Sequence, residues 1–420
     1  MTSESGTAVV GTGAPRLRDN ELRARAARVI PGGMYGHLNV GALPPEYPQF
    51  FRSGQGARVI DVDGREYVDL MCSWGPVILG HRHGAVEAAA RAQTNSGDCL
   101  NGPSERMVEL AERLVEVVSH AQWAMFQKNG TDATTLCVTV ARAETGRPRV
   151  LVASGAYHGA APWCTPVLAG TTPQDRANIG YYTYNDLESV RAAMTDEVAA
   201  IVVSPFKHDA GFDQELVDVA FAKGLRALCD ETGAALILDD VRGGLRLNFG
   251  GSWEPIGVEP DLSAWSKAIA NGYALAAVLG RDRFRAAATS LFTTGSFWFS
   301  SVAMAASLAT LSALESEGAV ATMRSRGEAF RAGLASQAQR WGFTILQSGP
   351  PQMPYVTFAG DVNHKVATAF ATAALRHGLY LHPRHNWFVS AAMTDGDLDL
   401  ALTASDGAFR ELRAAASNGR

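Results

Sequence analysis

Between about residue 120 and residue 290 short apolar runs alternate with stretches of helical spacing, and this constrains the fold more than any other feature. WAMF (123–126), RVLVAS (149–154), AAIVVS (199–204) and AALILDD (234–240) have the length and the apolar character of buried strands. DATTLCVTVARAE (132–144) and QELVDVAFAKGLRALCDETG (214–233) carry the spacing of helices. Strands and helices in this order predict an α/β fold, doubly wound on a largely parallel sheet. Such sheets bind ligands beyond the C-terminal ends of their strands. Residues at those ends are therefore the ones to test for chemistry.

The flanking segments have a different character. Asp19–Val29 has the pattern of a short Arg-rich helix, followed by a turn at Pro31-Gly32-Gly33. ARVIDVDGREYVDL (57–70) alternates around Asp63-Gly64 and predicts a hairpin. Ser104 stands where an N-cap would begin the helix ERMVELAERLVEVV. Residues 302–341 are Ala-rich and predict a long helical connection; TILQ, YVTFAG and LYLHP then alternate with helical patterns in a small α+β domain. The expected organisation is a flexible tail at 1–15, an N-terminal segment of the small domain at 16–72, a large domain at 73–310 and the rest of the small domain at 311–420.

Composition narrows the partners. A net charge of -5 argues against nucleic acid. No apolar run is long enough to cross a bilayer, and residues 1–15 lack the pattern of a signal peptide, so no membrane partner is expected. The five cysteines are widely spaced, with no CxxC and no metal-ligand pattern. They read as reduced thiols of a cytoplasmic enzyme, with no metal.

The chain has only five lysines, Lys128, Lys207, Lys223, Lys267 and Lys365, so chemistry that needs a deprotonatable amine has few candidates. Lys267 sits in the apolar stretch DLSAWSKAIANG, where an amine either snorkels or is placed for imine chemistry. Asp239-Asp240 ends the run ALILDD, which puts a carboxylate at the mouth of a buried strand. Alone it could be a turn acid or a helix cap, or it could bind a cationic ring nitrogen or a metal. Together Lys267 and Asp239 are the pair that an aldehyde cofactor with a pyridine ring requires. Asn129-Gly130-Thr131-Asp132 lies between a strand and a helix; it is either an ordinary N-cap or a phosphate-binding turn. Tyr157-His158-Gly159 follows another strand, where the aromatic could stack on a planar cofactor or simply fill the core.

The order of these and further motifs resembles the class III aminotransferases of fold type I, most of all glutamate-1-semialdehyde 2,1-aminomutase. The anchors include PGG (31–33), SWGPVILGH (73–81), NGTDA (129–133), YHG (157–159), LILDDV (236–241), RGGLR (242–246), PDLSAWSKAIANG (260–272) and GSFWFSSVAMAASLATL (295–311). The resemblance covers about Pro31 to about Arg410. It implies a mostly parallel seven-stranded sheet in the large domain, pyridoxal 5'-phosphate (PLP) as cofactor, and a homodimer with shared active sites. On this resemblance Lys267 is the Schiff-base lysine and proton shuttle, and Asp239 holds the pyridine nitrogen. Val241 lies under the ring, Tyr157 stacks over it with His158 beside it, Asn129, Gly130 and Thr131 take the phosphate, and Ser296 reaches the phosphate of the other subunit.

The departures are also informative. Ser204-Pro205 stands for Glu-Pro, and Asp239-Asp240 for Asp-Glu. Asp209 stands where the family has an amide near the phenolic oxygen; it would be protonated, turned away, or compensated by Lys207 or His208. Asn39 replaces an arginine that would hold a substrate carboxylate, and an amide is no substitute for a guanidinium fork. Tyr35, Asn39, Trp74 and Asp209, with Trp298, Arg384 and His385, are the substrate-pocket candidates. The expected activity is transfer of an amino group between an amine or amino acid, other than glutamate semialdehyde, and a keto acid or aldehyde. The alternatives are an aminomutase, a racemase or epimerase, a decarboxylating or otherwise non-transaminating enzyme, and a non-catalytic binding relative.

Overall fold

The computed structural model describes residues 16–418; the expected tail at 1–15 lies outside them. The chain divides into two compact units. Among the described residues, the larger comprises Ser73–Leu79 and Gly84–Thr322; the smaller comprises residues 16–72, Gly80–His83 and residues 323–418. The division falls inside the helix Ala319–Trp341, some way past the boundary expected near residue 310.

The larger unit is built on seven strands in the order Trp123–Gln127, Ala276–Gly280, Leu262–Trp265, Ala235–Asp239, Val198–Val203, Arg149–Ala153 and Ile179–Tyr182. Neighbours run parallel, except that Ala276–Gly280 is antiparallel to both of its own. The four runs read as strands are all in this sheet. Its central strands, from Ala276–Gly280 to Val198–Val203, are buried along their whole length, as expected where both faces are covered.

Side chains alternate between the two faces. Val150, Val152, Ala200, Val202, Ala235 and Ile237 pack with the helix Gly130–Thr145. Leu151, Ala153, Ile201, Val203, Leu236 and Leu238 pack with the helix Val219–Thr232. Each fully buried Val or Leu contributes about 1.5–3 kcal/mol. This two-sided core fixes the strand ends from which the site is built.

Three local expectations are corrected. The helix expected from residue 214 begins at Val219, because the Asp218 side chain caps it and Glu215–Leu216 pairs with Phe206–Lys207 in a hairpin. The long connection at 302–341 is two helices, Ser301–Ser316 and Ala319–Trp341, broken where Gly318 adopts φ +61°. Ser104 does precede the helix Glu105–Val117, but its side chain makes no capping bond.

In the smaller unit Phe51–Gln55, Arg58–Asp61 and Glu66–Asp69 form an antiparallel meander, and Leu379–Tyr380 adds in parallel to its edge. Ile345–Ser348 pairs with Tyr355–Phe358. Phe343, Phe358, Phe370 and Phe409 cluster between these strands and the helices Lys365–Arg376 and Asp395–Asn418. Among the described residues, no helix is long and apolar enough to cross a membrane.

Candidate active site

Asp239 ends a buried strand, and the neighbouring parallel strand places Ala264 in register with it. Lys267 follows three residues later, so the amine and the carboxylate leave the sheet side by side. Lys267 adopts φ +51°, a left-handed conformation that costs an L-residue about 1–2 kcal/mol. It opens the short turn Lys267–Ala270, and its Nζ makes no hydrogen bond or ion pair among the described residues. Burial pushes this amine down to about 7; the Arg242 guanidinium acts in the same direction and Asp239 opposes it.

The Asp239 carboxylate is itself held. Its Oδ2 lies 2.7 Å from His158 Nδ1, and its Oδ1 accepts the Val241 backbone N–H at 3.2 Å. His158 is buried, and its Nε2 has no hydrogen-bond partner among the described residues. Tyr157, one residue earlier, is 40% exposed, so the core-filling alternative does not describe it.

At the start of the helix Gly130–Thr145, Asn129 accepts the Asp132 N–H at 3.0 Å and donates to its carboxylate at 2.8 Å. Asn129 is thus a helix cap. Capping takes up one N–H of the first turn and leaves those of Gly130 and Thr131 as the open donors of that end. Close packing seals the turn: a Cβ on Gly130 would lie 2.8 Å from Val241 Cγ1, and one on Gly159 would lie 2.6 Å from Thr131 Oγ1. Thr131 Oγ1 also accepts the Ala160 N–H at 3.1 Å.

Asp240 faces away from this cluster's hydrogen bonds. It accepts the Ser252 N–H at 2.9 Å and the Ser252 hydroxyl, and burial pushes its carboxyl up to about 6. Asp209 lies against the turn that leads to Tyr157, with its Oδ2 2.6 Å from where a Cβ on Gly155 would be. Burial pushes its carboxyl up, and Lys207, Arg242 and His158 act against that. Of the two compensating groups named from sequence, Lys207 does act on Asp209 and His208 does not. Lys207 Nζ is paired with Glu215 Oε1 at 2.7 Å, and burial holds His208 well below its usual range, hence neutral.

The remaining candidates lie on other segments. Ser296 is exposed in the irregular stretch before Ser301–Ser316, and Trp298 folds back there, its N–H donating to Gly295 O at 3.0 Å. Trp74 sits in a left-handed turn at φ +66°. In the smaller unit, Tyr35 is exposed, and Asn39 caps the turn Val40–Ala42 by accepting the Gly41 N–H at 2.7 Å. Arg384 donates its backbone N–H to His382 Nδ1, and the His385 ring packs near those of His382 and Phe388. Sequence reading gave no role to Arg242, although it directly follows Asp239-Asp240-Val241. Burial lowers its guanidinium to about 10, and Asp239, Tyr157 and Asp209 oppose the shift.

A mostly parallel seven-stranded sheet with this site at its strand ends is the fold type I architecture of PLP-dependent transferases. The chain belongs to the class-III aminotransferases: the model of that family, "Aminotransferase class-III", matches residues 43–395. It is an aminotransferase, and members of this family use PLP. It is 50% identical to the aminopentol aminotransferase of Sphingopyxis macrogoltabida, covering 93% of this chain and 94% of that one. It is 31% identical to the glutamate-1-semialdehyde 2,1-aminomutase of Geotalea daltonii, covering 94% and 99%. Among solved structures, the PLP internal aldimine form of the FumI protein of Sphingopyxis sp. MTA144 superposes with a TM-score of 0.93 at 50% identity, covering 94% and 96%.

Proposed function

We propose that Lys267 binds the PLP aldehyde and carries the proton of amino transfer, with Asp239 holding the pyridine nitrogen. The register of Asp239 with Ala264, three residues before an amine lowered to about 7, carries this reading. The residues present fit the cofactor. The open N–H groups of Gly130 and Thr131 at a helix start suit its phosphate. The tight Gly130–Val241 contact leaves Val241 positioned for one face of a flat ring, and the exposed Tyr157 is available for the other. When bound, the cofactor supplies an electron sink that stabilises charge at the substrate carbon. Lys267 Nζ, unprotonated in a large fraction of molecules near neutral pH because burial lowers it to about 7, would take that carbon's proton and return it. Asp239, anchored by His158 and the Val241 N–H, stays oriented towards the ring nitrogen. Borohydride reduction followed by peptide mass spectrometry should place the pyridoxyl label on the Lys267 peptide; a label on another lysine would refute the assignment.

The substrate is an amine that lacks the carboxylate of glutamate semialdehyde. Asn39 in place of a carboxylate-binding arginine supports this, and so does 50% identity to an enzyme named for an aminopentol. Amino-polyols with a keto acid as acceptor are therefore the first pair to assay. Asn39→Arg should shift kcat/KM towards carboxylate-bearing amines by about tenfold. No shift would remove Asn39 from the pocket.

The working form is a homodimer. Phe292, 93% exposed, and Phe297, 62% exposed, flank the exposed Ser296. Apolar surface of that kind marks an interface, and Ser296 would then serve the phosphate of the other subunit. Light scattering at micromolar concentration tests this. The five cysteines form no disulfide among the described residues, which supports a reducing compartment, the cytoplasm.

A further inference from the structure

Thr131, Thr134 and Thr135 stand at i, i+3 and i+4 of the helix Gly130–Thr145, a spacing that puts the three hydroxyls on one face. That face holds the loop with Tyr157 and His158. Thr131 Oγ1 accepts the Ala160 N–H at 3.1 Å, Thr134 Oγ1 donates to His158 O at 2.7 Å, and Thr135 Oγ1 accepts the Trp163 ring N–H at 3.0 Å. Residues 154–172 have no helix or strand of their own, so bonds of this kind set where the loop lies. Thr134 differs from the other two in its burial, at 1% exposure, and in what its bond reaches. The alternative acceptor for its proton, Thr131 O, is farther away at 3.1 Å. Thr134 therefore fixes the main chain of the residue whose Nδ1 lies 2.7 Å from the Asp239 carboxylate. His158 is held at two points, its backbone by this helix and its ring by the strand end. The same helix opens with Gly130 and Thr131, whose N–H groups suit a phosphate.

We propose that Thr134 is a positioning residue: its hydroxyl ties the His158 main chain to the helix that begins with the phosphate turn, and so registers the Asp239 carboxylate to the ring nitrogen of a cofactor anchored at that turn. The proposal rests on the site assignment above. Thr134 need not touch the cofactor; it acts only through His158. Without the hydroxyl the buried His158 carbonyl loses its donor, and the loop must shift to find another. The imidazole moves with its backbone, and the carboxylate it orients is no longer aimed.

The test is a double-substitution cycle in the full-length protein, read as PLP affinity by equilibrium dialysis and as the melting temperature of the cofactor-free form. Thr134→Val, which keeps the shape and loses the hydroxyl, should weaken PLP binding about 3–10-fold, the range for one hydrogen bond. Thr134→Ser keeps the hydroxyl and gives up a buried methyl; it should melt earlier yet bind within about twofold of the parent. In a His158→Asn background, Thr134→Val should add less than about twofold, because the residue it acts through is gone. A merely structural threonine would show affinity following melting temperature across these variants, and losses that multiply with His158→Asn. Either pattern overturns the proposal, and so does parent-like affinity in Thr134→Val. If Thr134→Val does not fold by circular dichroism, Thr134→Ala takes its place, and parent-like affinity there overturns the proposal instead. The site assignment is judged separately. A borohydride label on another lysine, or parent-like affinity in Asp239→Asn, sinks the assignment; a weakened Asp239→Asn beside a parent-like Thr134→Val sinks only the role of Thr134.

Discussion

His158 Nδ1 and Asp239 Oδ2 lie 2.7 Å apart in a buried setting, so the aspartate proposed to hold the pyridine nitrogen is itself oriented by a histidine. The two residues reach each other from strand ends separated by the Val198–Val203 strand. Removing the carboxylate removes the charge itself, whereas removing the imidazole removes only its aim. Asp239→Asn should lower kcat by about 10²–10³-fold, the range for losing an electrostatic stabiliser. His158→Asn should cost about 10–100-fold, typical of groups that orient another ligand. Steady-state kinetics with saturating cofactor would show the ordering, and a His158 variant as damaged as Asp239→Asn would contradict it.

The Lys267 amine makes a second prediction, on stability. Its pKa is about 7 in the folded chain against 10.5 for an ordinary lysine. Between those values the unfolded chain binds more protons than the folded one, so stability of the cofactor-free protein rises with pH through that window. Lys267→Met removes the penalty. The variant should be more stable than the parent near neutral pH, and the gain should shrink as pH approaches the ordinary lysine range. Urea unfolding at several pH values measures this; an advantage that grows with pH contradicts the assignment.

Asp240 predicts the opposite slope. Burial raises its carboxyl from 3.8 to about 6. In that interval the folded chain binds more protons, so this group's contribution is present at low pH and is lost as pH rises through about 6. Asp240→Asn should flatten the dependence of melting temperature on pH between those values. Ser252→Ala should steepen it, because the serine's hydrogen bond is what opposes the upward shift.

Gly130→Ala tests the packing of the phosphate turn. The added methyl would lie 2.8 Å from Val241 Cγ1, too close for either atom to stay in place. Overpacking of this kind costs about 1–3 kcal/mol. Cofactor affinity should fall along with stability, because the helix start and Val241 would both move. Calorimetry with and without PLP checks it, and a variant that loses stability with undiminished cofactor affinity would argue against the turn as the phosphate site.

The strands, and the placing of Lys267 and Asp239 at the ends of two neighbouring ones, were legible because their signals are local. Each core strand is a short apolar run, and Lys267 and Asp239 sit within a few residues of one. What failed to show depends on distant partners. Nothing in QELVD says that Glu215–Leu216 will pair with Phe206–Lys207 and so delay the helix to Val219. Ser104 has the right composition for a cap but not the conformation that brings its hydroxyl to a backbone N–H. Arg242 reads as one more arginine among many, since the burial that lowers its guanidinium is set by the fold and not by its neighbours in sequence.

The antiparallel strand Ala276–Gly280 returns through the sheet directly beside Leu262–Trp265, so the loop carrying Lys267 is anchored on both sides by ladders of the same sheet. The amine cannot drift without shearing two rows of backbone hydrogen bonds. Under the proposed assignment the loop that carries the Schiff-base lysine is the rigid part of the site, like a bearing, and differences in substrate are expected from other segments.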